Sequence, residues 1–175
     1  SILITDDNFR EVIDITPKEE KLPVRIEKNL VLQGNPAEQV EFARKASKAL
    51  VDVIESKTKK VIIGGETYVE FEDWMMIGRF YGASVGVEWT KPVMKGDKVW
   101  GYEARANVLM NGQIVSSAEA MCTRDERNWA QRDEFMIRSM SQTRASAKAL
   151  RNVFAWVVTM AGYRPTPAEE MDSFS

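Results

Sequence analysis

Apolar or small residues recur every three or four positions through Val40, Ala43, Ser47, Leu50, Val51 and Ile54, which is the spacing of one helix face, while Arg44, Lys45 and Lys48 fall elsewhere on that surface. Asn35 followed by Pro36 opens this helix, because asparagine caps first-turn N–H groups and proline at the first helical position lacks a donor that would be unpaired anyway. After Ser56 the period changes. "KKVIIGGETYVEF" sets β-branched residues on both sides of Gly64-Gly65 and predicts a hairpin, and "EDWMMIGRFYG" predicts a short helix stopped by Gly82. Three strand-like runs follow, "ASVGVEWTKPV", "KVWGYEARANVLM" and "QIVSSAEAMC", separated by "MKGD" and by Asn111-Gly112, a strong hairpin signal. In the second run Trp100, Tyr102, Ala104, Ala106 and Val108 alternate with Gly101, Glu103, Arg105 and Asn107, as in a sheet with one packed and one wet face.

The charged connector Thr123 to Asp133 has no periodic apolar face. A long helix is then predicted from about Asp133 to Ala161, ended by Gly162 and Pro165, with an apolar stripe of Met136, Met140, Thr143, Ala147, Leu150, Phe154 and Val157. The pattern therefore predicts an α+β fold: an antiparallel β-hairpin plus a three-stranded meander packed against a long C-terminal helix, with an additional N-terminal helix. Three regions are expected. Residues 1–34, broken by Pro17, Pro23 and Gly34 and with strand-like character in "PVRIEKNLVL", form an arm suited to oligomerisation; residues 35–164 form one domain; residues 165–175 form a flexible acidic tail.

Composition narrows the chemistry. The 175-residue chain has one cysteine, Cys122, and no histidine, which excludes an internal disulfide and a cysteine-built metal cage and removes the commonest zinc ligand and catalytic base. No metal and no cofactor is expected. No run is long and apolar enough to cross a bilayer and the N-terminus lacks a secretory pattern, so a cytoplasmic location is the expectation. "IIGGE" lacks the Lys-Ser/Thr pair of a phosphate-binding loop, so no Walker-type ATP site is expected.

The formal net charge is -2, yet it is unevenly spread. Residues 1–56 hold eight basic and eleven acidic side chains, residues 57–164 sixteen and twelve, and the last eleven residues none and three. Within "RSMSQTRASAKALRNVFAW" there are four cations, Arg138, Arg144, Lys148 and Arg151, and no acid lies between Phe135 and Arg164. Arg144, Lys148 and Arg151 share one helix face at i, i+4 and i+7, a line about 10 Å long that suits successive phosphates of an extended strand. A solvated face also carries lysine and arginine, but it usually mixes both signs in i, i+4 pairs. Arg124, Arg127 and Arg132 form a second basic group among acids, suited either to surface ion pairs or to extending the track. Lys57, Lys59 and Lys60, before the hairpin, either continue the track or blunt an edge strand. Of the five tryptophans, Trp129 is expected to be exposed and the others mostly buried.

In its order of elements the chain resembles the Rad-fifty-two-like single-strand annealing superfamily, which includes the RecT and Erf types of phage recombinase. The resemblance covers about Lys57 to Tyr163, and its carriers are "YVEFEDWMMIGRFYG", "GYEARANVLMNGQIVSSAEAM" and "MSQTRASAKALRNVFAW" with its Ala-Leu-Arg-x-x-Phe ending. It implies oligomeric rings or filaments that hold ssDNA by its backbone in a basic groove and anneal complementary strands without ATP. It also implies that Lys148 and Arg151 line the groove, together with Lys59 or Lys60 and Tyr68; Arg144 rests on the stripe alone. A phage exonuclease or a host ssDNA-binding protein is the candidate partner beyond ssDNA and the chain's own copies. Two alternatives stand beside this: DNA-end protection without annealing, and a hot-dog-fold acyl-thioester hydrolase with Glu72 or Asp73 activating water.

Overall fold

A computed structural model describes residues 34–174; the strand-like stretch expected in the N-terminal arm lies outside the described residues. Helix α1 (Pro36–Glu55) is capped by Asn35, whose side-chain oxygen accepts from Glu38 N–H at 3.0 Å. Strands β1 (Val61–Ile63) and β2 (Glu66–Tyr68) form the hairpin, and α2 (Phe71–Phe80) follows. Strands β3 (Ala83–Lys95), β4 (Lys98–Met110) and β5 (Gln113–Thr123) make a separate antiparallel sheet in the order β3-β4-β5. The long helix α3 (Glu134–Met160) packs across that sheet, and a 3-10 helix (Ala168–Phe174) closes the chain. The architecture is thus the expected α+β one.

The sheet face toward α3 is lined by Ala104, Ala106 and Val108 of β4 and Ala118 of β5, all buried. Ala145 and Ala149 of α3 answer them, and with small residues on both surfaces the helix backbone can lie close to the sheet. One direct consequence is that Ser116 Oγ of β5 donates to the Ala149 carbonyl at 2.8 Å. On its other side α3 presents Leu150, Phe154, Val157 and Val158 to Leu50 and Ile54 of α1 and Trp74 and Ile77 of α2. A helix enclosed in this way is buried over much of its circumference. From Arg144 to Leu150 every residue except Lys148 is buried.

Two backbone requirements set the sheet. Asn111 and Gly112 both adopt positive φ, 53° and 74°, the conformation of a two-residue turn that matches strand twist. Gly101 sits opposite Thr123 in the β4–β5 register, where a Cβ would press on the Cys122 carbonyl oxygen and come within 2.7 Å of the Thr123 Cα. These are backbone atoms, which cannot swing aside.

Three expectations need correcting. Trp129 is buried, 8% exposed, in a second small core with Cys122 and Ile137, because the connector folds back over the end of the sheet. Of the four tryptophans expected to be mostly buried only Trp74 is, Trp89 and Trp100 being half-buried and Trp156 exposed. Met136, Met140 and Thr143 are only half-buried, and Ile137 and Ser141 take the buried places in that part of α3. The tail is not a loose end through residue 171: Pro167 and Ala168 are buried, and Ala168 N–H donates to the Val69 carbonyl at 2.9 Å. Pro165 and Pro167 stiffen this return.

Gly101→Ala is expected to destabilise the protein by about 3 kcal/mol, the upper range for forced overpacking, read as a lower urea midpoint at unchanged slope. An unchanged midpoint would show that β4 and β5 can separate locally at this point.

Candidate functional site

The cation-bearing face of α3 meets the free edge of β5. Four helical residues advance about 6 Å and two strand residues about 6.6 Å, so side chains at i and i+4 on α3 can reach alternate carbonyls of β5. Lys148 Nζ donates to the Glu119 carbonyl at 3.2 Å, and Arg144 Nη1 donates to the Met121 carbonyl at 3.0 Å. The stripe read from the sequence is therefore, at two of its three positions, a set of caps on an edge strand.

Arg144 departs furthest from expectation. It is 4% exposed, its guanidinium forms an ion pair with the Glu126 carboxylate at 2.7 Å, and its Nε donates to the Glu169 carbonyl at 2.9 Å. The Trp129 ring lies 5.9 Å away. Arg144 thus leaves the solvent-facing track and becomes the tie between α3, β5, the connector and the C-terminal segment. Burial by itself would raise the pKa of Glu126; Arg144 and the Thr123 N–H outweigh it and hold the carboxyl below its usual range.

The remaining predicted cations sort by partner. In the connector, Arg124 donates to the carbonyls of Ala130 and Arg132 at 3.0 and 2.8 Å, so it folds the loop and makes no carboxylate pair of its own there. Arg132 lies over the Trp129 ring, and Arg127 is exposed. Arg138 is exposed above Tyr102, 6.0 Å from its ring centre. At the hairpin, Lys60 pairs with Glu55 at 2.8 Å, Lys59 is exposed, and Tyr68 is half-buried and bridged to Arg164. Arg151 is half-buried, and its Nε is enclosed without a hydrogen-bond acceptor among the described residues. The cations are spread along α3, the connector and the hairpin, and Arg144, Lys148, Arg124 and Lys60 already have protein partners.

Beside Lys148 opens a cavity of about 380 Å³, lined by Arg144, Lys148, Glu103, Glu119, Glu126 and Glu170. Its four carboxylates were not foreseen, since they come from β4, β5, the connector and the tail. A separate carboxylate group, Glu70, Glu72 and Asp73, gathers at the start of α2. Lys57 fills it: its ammonium contacts Asp73 and stands 3.5 and 3.6 Å from Glu70 and Glu72. The cluster therefore carries its own cation, and Asp73 is buried against it. Among the described residues no helix is long and apolar enough to cross a membrane.

No family model, curated protein or solved structure matches the chain significantly.

Arg144→Met should cost about 3 to 5 kcal/mol, because it strands Glu126 in a mostly buried place without its cation. With Glu126 held below its ordinary value when folded, the pair's stabilisation is present above the ordinary carboxylate range and is lost as pH falls through the depressed folded value. Urea midpoints of both proteins across the acid range check this: the gap between them should close on acidification, and a gap that stays constant would contradict it.

Proposed function

We propose that this protein binds ssDNA through its backbone, self-associates, and anneals complementary strands without ATP. What carries the reading is one arrangement: hairpin, short helix, meander, and then a long helix free of acids from Phe135 to Arg164, laid across the sheet with Arg138, Lys148 and Arg151 along it. Phosphate contacts position a strand without reading it, and pairing with a second strand supplies the sequence recognition. Such a task needs charge and shape, not a nucleophile or a general base. It accords with a chain that has no histidine.

Arg151 and Lys148 are the α3 side chains assigned to phosphate, with Arg138 and Lys59 extending the path. Arg151 supports this through its place on α3, three residues beyond Lys148 in the run without acids. Exposed Phe80, Trp156 and Met160 supply apolar surface for self-association. The hydrolase alternative is weakened by Lys57, since a carboxylate held against an ammonium is a poor base for activating water.

Fluorescence anisotropy of a labelled oligothymidine across a salt series tests the reading. Wild type should bind and weaken steeply with salt, and Lys148→Glu with Arg151→Glu should lower the salt slope by about 1.4, two single-strand phosphate contacts. Unlabelled complementary oligonucleotides should then anneal faster with wild type in the absence of ATP. Absence of binding at low salt would sink the proposal, and binding without accelerated annealing would leave end protection in its place.

A further inference from the structure

The segment after α3 returns past the end of α1, the hairpin and the start of α2 as a strap. Tyr163 OH donates to Glu55 at 3.1 Å, Arg164 N–H to the Thr67 carbonyl at 3.1 Å, and Ala168 N–H to the Val69 carbonyl at 2.9 Å. Two consecutive acids follow and part company. The Glu169 carboxylate enters the protein and accepts from Phe71 N–H at 3.1 Å, at the start of α2, while its carbonyl takes the Nε of Arg144. Glu170 instead lines the cavity beside Lys148. The strap therefore adds a fourth carboxylate, beside those of Glu103, Glu119 and Glu126, to the cavity that Lys148 lines, and closes one side of Arg144.

We infer that the strap is a displaceable internal anion: docked, it puts Glu170 in the Lys148 cavity in competition with a phosphate of the bound strand, and Glu169 governs how firmly it is held. The inference rests on the ssDNA reading above. When the strap leaves, the cavity loses the carboxylate of Glu170, and Arg144 Nε loses its carbonyl while its terminal nitrogens keep Glu126 and Met121.

The hold on the strap depends on proton binding at Glu169. Its Oε1 is buried without a hydrogen-bond partner among the described residues. Facing it are Glu70 and Glu72, which share Lys57, and the Phe71 N–H; on the α3 side stands Arg144, committed to Glu126 and to the strap's backbone. Burial first, and Glu72 and Glu70 after it, push the Glu169 carboxyl up to about 7 against the opposing Phe71 N–H. A released strap would return this group to an ordinary value of about 4.3. The docked state thus binds a proton that the released state gives up, so docking is firmest at low pH, weakens as pH rises toward about 7, and is level above it. With no histidine in the chain, no side chain of ordinary pKa obscures this window.

Two measurements on the full chain test the inference. Hydrogen exchange at the Phe71 and Ala168 amides, corrected for intrinsic rate, should show about twentyfold more opening at pH 7.5 than at pH 5.5. Oligothymidine affinity should rise in parallel, because apparent affinity scales with the open fraction. Glu169→Gln should hold both at their low-pH values, and Glu170→Gln should tighten binding about threefold at every pH. Exchange independent of pH, or unaltered by Glu169→Gln, overturns the role of Glu169. Exchange that follows pH while affinity stays flat overturns the competition with phosphate. If exchange behaves as expected and wild type binds no oligothymidine at either pH, the ssDNA reading itself fails.

Discussion

A single buried guanidinium organises the far side of this fold. Arg144 projects from the middle of α3 and is bonded at the same time to the edge of β5, to Glu126 in the connector and to the Glu169 carbonyl. Desolvating an arginine is costly unless its donors are satisfied, and here three elements converge on α3 to satisfy it. That requirement brings the connector, with its Trp129, down over the end of the sheet and pulls the C-terminal segment back toward the sheet. Lysine could not replace it: the ammonium has no planar fork with which to hold a carboxylate, a strand carbonyl and a second carbonyl in different directions.

The elements were legible because each had a local cause. Asn35-Pro36, Gly64-Gly65 and Asn111-Gly112 act on their immediate neighbours, and the alternation in β4 survives because the helix covers only one face. The role of Arg144 was hidden, since its spacing with Lys148 and Arg151 is the same whether the face meets water or a strand edge. A signal was nevertheless present. Ala145, Ser146, Ala147 and Ala149 follow it, and a run of small residues suits a helix enclosed over much of its circumference. Trp129 was misplaced for a related reason: a connector without periodicity can still be drawn inward by one long-range ion pair. The strap had its own clue in Pro165 and Pro167, which limit the freedom of the chain where a loose tail was expected.

The division of the cations bears on affinity. Arg124 and Arg144 are used to hold the fold together, while Arg127, Arg132, Arg138 and Lys148 stay exposed on a chain whose total charge is acidic. A site of that kind is weak alone. Repeated along one strand by copies held side by side, it gains through effective concentration, each contact being made intramolecular by the one before. Under the proposed ssDNA reading, dependence on assembly would also give control, because a lone subunit would release the strand easily.

The edge of β5 has a separate consequence for how copies can join. Its carbonyls at Glu119 and Met121 are occupied by Lys148 and Arg144, and at the opposite edge β3 carries Pro92, which has no N–H to offer a new strand. Growth by head-to-tail extension of one continuous sheet needs two receptive rims, and this meander is blunted at both. Copies that associate would have to meet through side chains, leaving each sheet a closed unit, and that guards the chain against fibrous aggregation wherever it is crowded.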